Sequence, residues 1–135
     1  MITGIQHLAR HFVRSVQSET GIELDYNHVA IKWLDGYIEN IRTHYTAETV
    51  PAGLVQSVGA FVGECIIATY GGHWGHDRES DEWGVAVPVN GGDVWLYPFN
   101  KVYKHFAAGH EHSIGLFFEA IKNLTDPTRD WHIST

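Results

Sequence analysis

The chain has 135 residues, 44% hydrophobic and 19% charged, the balance of one globular domain (1–135) and not of a disordered chain. Its net charge of −7 argues against the basic patch that phosphate contacts require, so no nucleic-acid partner is expected. The lone cysteine, Cys65, excludes an internal disulfide and points to a reducing compartment.

The N-terminus has no basic start followed by an apolar run, so no secretory signal is expected. Nor does any uncharged apolar stretch approach the roughly 18 residues of a membrane span. A cytoplasmic location is the expectation, with no membrane partner.

Ile2, Ile5, Leu8, Phe12, Val13 and Val16 recur at helical spacing and predict a first amphipathic helix that stops at Gly21. Arg10, His11 and Arg14 on its other side form the densest basic group, with no lysine to favour membrane docking. Asp25 or Asn27 can cap a second helix through Ala30, Trp33, Leu34, Tyr37, Ile38 and Ile41. Thr46 or Thr49, with Pro51 in the first turn, opens a third over 51–70.

This third helix is expected to be central and buried around most of its girth. Leu54, Val55, Val58, Phe61, Val62, Cys65, Ile66 and Thr69 form its stripe, which reads Cys65 as a small buried hydrophobe. Gly59 and Gly63 lie one turn apart and each costs about 1 kcal/mol against alanine in a helix interior. Close packing is the compensation, and Trp74 is a natural filler of the groove they leave.

Gly71-Gly72 ends the helix, and His73–Gly75, Trp83–Val89 and Asp93–Tyr97 read as strands. Asn90-Gly91-Gly92-Asp93 joins the last two as a hairpin. Pro88 cannot donate to a ladder, which predicts an edge or bulged strand. Pro98 stops the last strand, Asn100 is placed to cap a helix ended by Gly109, and Ser113 opens a final helix. From Thr125 onward a loop is expected, with Trp131 pinning it back. The fold class is α+β: three N-terminal helices, a small antiparallel sheet of about three strands packed on one face by helices, and two C-terminal helices.

The middle and C-terminal parts resemble a family of bacterial domains of unknown function. The matching pieces are Gly59, Gly63 and Glu64 on a helix, Gly71-Gly72-His73-Trp74, Val94-Trp95-Leu96-Tyr97-Pro98, Lys101 or Lys104, and Gly109-His110-Glu111. The family pattern has a basic pair just before its Gly-acid turn, whereas Lys104-His105 stands several residues earlier here. The resemblance implies an α+β domain without known catalytic activity, similar in character to immunity proteins that block a cognate toxin.

Candidate chemistry is sparse, and no phosphate-binding loop or nucleophile elbow occurs. His7 and His11 are four apart on a helix, and His110-Glu111-His112 lies in a turn. His73, His76 and Asp77 form the better metal-type cluster. Glu64 beside the glycine groove is the candidate general acid or base, with His73 as its partner. Its structural alternative is a carboxylate bonded to the Trp74 N–H or to a backbone N–H or lysine.

Acid concentrates at Asp77, Glu79, Asp81, Glu82 and Asp93 against Arg78 alone. With Trp74, Trp83 and Trp95, the residues Asp77, Asp81 and Glu82 are expected to form the binding surface for a basic protein partner. Recognition, as in an immunity-type inhibitor, is favoured over catalysis, and no cofactor is expected. The alternatives are a small metal-dependent hydrolase centred on Glu64, His73 and His76, and a homodimer resting on surplus aromatics.

Overall fold

The computed structural model describes residues 1–125, so Trp131 and the expected tail beyond Thr125 lie outside the described residues. The elements are α1 (Ile2–Thr20), α2 (His28–Ile41), α3 (Ala52–Tyr70), β1 (His73–Asp77), β2 (Glu82–Val89), β3 (Gly92–Leu96), α4 (Pro98–Ala108) and α5 (Ile114–Thr125). Short 3-10 turns over Arg42–His44 and His110–His112 complete the described chain. The α+β class and the order of elements are as the periodicity indicated.

The third helix holds the fold together. It contacts each of the other four helices and β2. Its buried residues run from Val58 to Gly63 and on through Cys65 and Ile66. Its first turn and Ala68-Thr69 are open, so burial goes round the girth in the middle of the helix, as expected, but does not extend along its whole length; Thr69, expected in the apolar stripe, is exposed. The helix is 19 residues long and an 18-residue stretch of it has a mean hydropathy of 1.5, the length and apolarity of a membrane span, although Glu64 interrupts it so that no uncharged stretch is that long. A helix this apolar is also what the centre of a small core requires.

Both glycine notches are filled, by different residues. A methyl group at Gly63 would fall inside the Trp74 ring, at Cη2 and Cζ2. At Gly59 it would meet Phe99, 2.5 Å from Cδ1 and 3.0 Å from the backbone Cα. Trp74 and Phe99 also pack on each other, with ring centroids 5.6 Å apart. The two aromatics therefore form one slab across the face of α3.

The ends of the helices follow local chemistry. Asn27, not Asp25, caps α2 by accepting the Ala30 N–H at 3.0 Å. Thr46 and Thr49 do not open α3; the Thr49 hydroxyl accepts the Thr46 N–H at 2.7 Å and closes the preceding turn. Pro98 both ends β3 and begins α4, a position where its missing N–H costs nothing, so Asn100 is already inside the helix. Ser113 caps α5, its hydroxyl accepting the N–H groups of Gly115 and Leu116 at 3.1 and 3.3 Å.

The sheet is antiparallel in the order β1-β2-β3. Gly71 and Gly72, with φ of 85° and 108°, turn the chain from α3 into β1 through backbone that other residues rarely adopt. By the strand order the strand carrying Pro88 is central, and its register with β3 is unbroken, so the edge or bulged strand expected is not found, although β2 has an open side at Pro88 itself. Pro88 is tolerated because β1 pairs only with residues 82–86 and ends before reaching it. Trp74, Val85 and Leu96 stand side by side across the three strands and are all buried toward the helices.

Candidate functional site

The sheet's other face carries the chemistry. Its outward rung is His73, Ala86 and Trp95, and the paired Gly75 and Gly84 lie beside it. A Cβ on Gly75 would sit 2.8 Å from Trp95 Cη2, and one on Gly84 would sit 3.2 Å from Trp95 Cε3. The six-membered ring thus lies flat across two strands, where side chains are missing. It seals Ala86 to 1% exposure while remaining 40% exposed itself.

Tyr97 follows onto the same face, passing over Gly84 at 3.1 Å from a Cβ placed there. Its hydroxyl donates to Asp77 Oδ2 at 2.6 Å. Asp77 is paired directly with Glu82, two like charges that repel. The Tyr97 hydroxyl first, then the N–H of Glu79, hold the Asp77 carboxyl below its ordinary range against the opposing effect of burial. The bond to Asp77 in turn raises the Tyr97 phenol.

The turn between β1 and β2 is acidic and projects into solvent. Asp81 takes a φ of 55°, the left-handed region that Asp tolerates better than most residues. Its side chain is 90% exposed and, among the described bonds, accepts only from His76, at 3.0 Å between Nε2 and Oδ1. The His76 ring leans on Trp83, with centroids 5.6 Å apart.

Four of the six residues expected to form a binding surface are thus gathered around the sheet: Trp95, Asp77, Glu82 and Asp81. Trp83 points to the opposite face and borders an open groove with Met1, Ile5 and Phe99. Trp74 is no contact residue, being 4% exposed and consumed by the Gly63 notch.

Glu64 does not face His73 as an acid–base partner. It accepts the Trp74 indole N–H, Nε1 to Oε2 2.9 Å, and so pins the ring that fills the notch. His73 is exposed on the outward face of the sheet. Among the described residues no three His, Cys, Asp or Glu side chains converge where they could hold a metal ion.

Sequence reasoning missed a buried polar network between α2 and the C-terminal helices. His105 is fully buried on α4. Its Nδ1 accepts the Ile114 N–H at 3.3 Å, so the proton sits on Nε2 and is donated to Glu39 at 2.6 Å. Arg42 Nε donates to the same Glu39 Oε2 at 2.9 Å. Burial acts to raise the Glu39 carboxyl, but these two bonds outweigh it and hold it below its ordinary range.

One turn away on α2, Asp35 accepts the Ser113 hydroxyl and the Gly115 N–H, the latter at 2.9 Å. Ser113 is therefore bonded to a carboxylate and not to His105, and both ring nitrogens of His105 are engaged. This is a clasp, with no free base and no activated nucleophile. The i, i+4 carboxylates Asp35 and Glu39, flanking the apolar Ile38, were its only trace in the sequence.

Comparison with protein-family models, with curated proteins and with solved structures finds no match.

Proposed function

We propose that this chain is a protein-binding module whose contact surface is the outward face of the sheet together with the acidic β1–β2 turn, and that its partner is basic. The observation that carries this reading is Trp95, a large aromatic left 40% exposed on a rigid bed of paired glycines. Exposed, immobilised tryptophans are what interface hot spots are made of. Asp77 and Glu82 lie further along the same face, Asp93 two residues before Trp95 on β3, and Glu79 and Asp81 in the turn, against Arg78 alone in 77–93, which favours encounter with a basic surface and rejects an acidic one. Inhibition of a basic toxin, in the manner of an immunity protein, is the process that fits this chemistry.

The reading is tested by photo-crosslinking from position 81 in the native host, comparing the wild type with Trp95→Ala and with Leu116→Ala. Leu116 is 56% exposed on α5 and serves as an apolar control away from the sheet. One crosslinked partner should disappear with Trp95→Ala and persist with Leu116→Ala. A partner captured equally by all three would refute the sheet-face surface.

The hydrolase alternative draws no support from the arrangement of Glu64, His73 and His76. The first is bonded to Trp74 and the last to Asp81, and they share no cavity among those described.

A further inference from the structure

A second surface lies away from Trp95, along the seam between α1 and α3. One cavity there, of about 460 Å³, is bordered by Met1, Ile5, Trp83, Phe99 and Glu82. A second, of about 430 Å³, is bordered by His11, Ser15, Glu19, Tyr37 and Leu54. Leu8 and Gln56 border both, so the two adjoin as a trough along the seam.

Besides His11 and Val16, the α1 border of this trough is Met1, Ile5, Leu8, Phe12, Ser15 and Glu19, a series spaced alternately by four and three residues. That is the spacing with which a helix accepts another helix in a coiled-coil seam. Eighteen helical rises from Met1 to Glu19 give the trough a length of about 27 Å. Ile5 and Phe12 form a buried floor, whereas Leu8 is half-buried and Met1 is 78% exposed.

Charge selects the occupant. No lysine or arginine borders the trough, and a glutamate stands at each end, Glu82 and Glu19. Arg10 and Arg14 are exposed on sides of α1 turned away from it. From these features we infer that the trough binds an amphipathic helix of a partner protein, about 18 residues long, with an apolar seam at heptad spacing and Lys or Arg at both ends. A strand is a poorer fit, because helices form most of the border and β2 adds only Glu82 and Trp83 at one end. A nucleic acid is excluded by the apolar floor and the acidic ends. This site goes beyond the sheet-face reading and does not depend on Trp95.

The test uses two fluorescein-labelled synthetic 18-residue helices with Leu at the seam positions, one with Lys at its ends and one with Glu there. Binding is followed by anisotropy, and folding of each variant by circular dichroism. The Lys peptide should saturate the wild type and the Glu peptide should not. Gln56→Lys, at an exposed position in the trough, should weaken the Lys peptide at least tenfold. Ala120→Lys, which adds the same charge on exposed α5, should change it less than twofold, as should Trp95→Ala. The double variant Glu19→Gln, Glu82→Gln should flatten the salt dependence.

Equal binding of the two peptides, or equal weakening by Gln56→Lys and Ala120→Lys, would overturn the inference. So would light scattering that shows a dimer split by Gln56→Lys, since the occupant would then be a second copy of this chain. Loss of Lys-peptide binding with a Trp95-dependent partner intact would refute the trough and spare the sheet face.

Discussion

Gly63→Ala is the sharpest test of how α3 is packed. Viewed as helix propensity alone, the change should stabilise the protein by about 1 kcal/mol. The structure reverses the sign. The added methyl would enter the Trp74 ring at Cη2 and Cζ2, far inside the 3.4–4 Å of ordinary contact. Trp74 cannot step aside without cost, being 4% exposed and bonded through Nε1 to Glu64 at 2.9 Å. Overpacking costs about 1–3 kcal/mol, and breaking a hydrogen bond to a charged group about 1.5–3 more. After the propensity gain is subtracted, a net loss of about 1.5–5 kcal/mol remains. At about 3–5 °C for each kcal/mol in a chain of this size, the melting temperature should fall by about 5–25 °C. Gly36→Ala provides the control, because a Cβ there meets nothing within 4 Å in the middle of α2. It should raise stability by up to about 1 kcal/mol. Urea denaturation of both variants decides the matter. If the two alanines shifted stability in the same direction, the claim that Trp74 occupies the notch would be wrong.

His105→Ala leaves Glu39 and the Ile114 N–H without their buried partner and should cost about 3–5 kcal/mol in urea denaturation; a loss under about 1 kcal/mol would refute the clasp. A carboxyl held below its ordinary 4.5 stabilises above that value and loses its contribution as pH falls toward the folded value. Glu39→Gln should therefore flatten the acid side of a stability–pH profile below about pH 4.5 while lowering stability at pH 7. Burial, and then the charge of Glu64, pushes the Cys65 thiol well above its ordinary 9.0, so the native protein should resist thiol reagents and react only at the rate of unfolding. Fast labelling at neutral pH would contradict its placement. Tyr97→Phe should let the Asp77 carboxyl titrate closer to its ordinary 3.8, read by carbon NMR; an unmoved midpoint would deny the bond.

Much of the fold was legible because its elements are patterned locally. The apolar periods of α1, α2 and α3, the Gly21 and Gly71-Gly72 stops and the Asn90-Gly91 turn each act within a few residues. Pairings distant in the chain were legible only where chemistry narrowed the options. The Gly63 notch needed a flat filler, and Trp74 is close enough in sequence to reach it. Phe99 in the Gly59 notch was not foreseeable, because its position depends on the hairpin between. The same holds for Trp95: alternation along β3 gives its face, but its exposure depends on Gly75 and Gly84 meeting beneath it. His105 was hidden because a histidine beside Val102 and Phe106 reads as part of a helix surface. Its partners lie 66 and nine residues away, on two other helices.

The clasp and the proposed contact surfaces belong to different parts of the structure, and this separates stability from recognition. Trp95 is backed across the sheet by Trp74 and by α3, and the α1 trough is likewise built on α3. His105 instead joins α2 to α4 and the start of α5. Both surfaces therefore take their position from the slab that Gly59 and Gly63 admit, while the clasp holds down the far helices. It follows that His105→Ala, assayed well below its melting temperature, should leave binding at Trp95 and in the trough within about twofold of wild type, a change of about 0.4 kcal/mol. Gly63→Ala should impair both surfaces under the same conditions, because it moves their common backing. If His105→Ala weakened binding as much as Gly63→Ala does, at equal fraction folded, the surfaces would not be referenced to α3 and the clasp would be part of the recognition site.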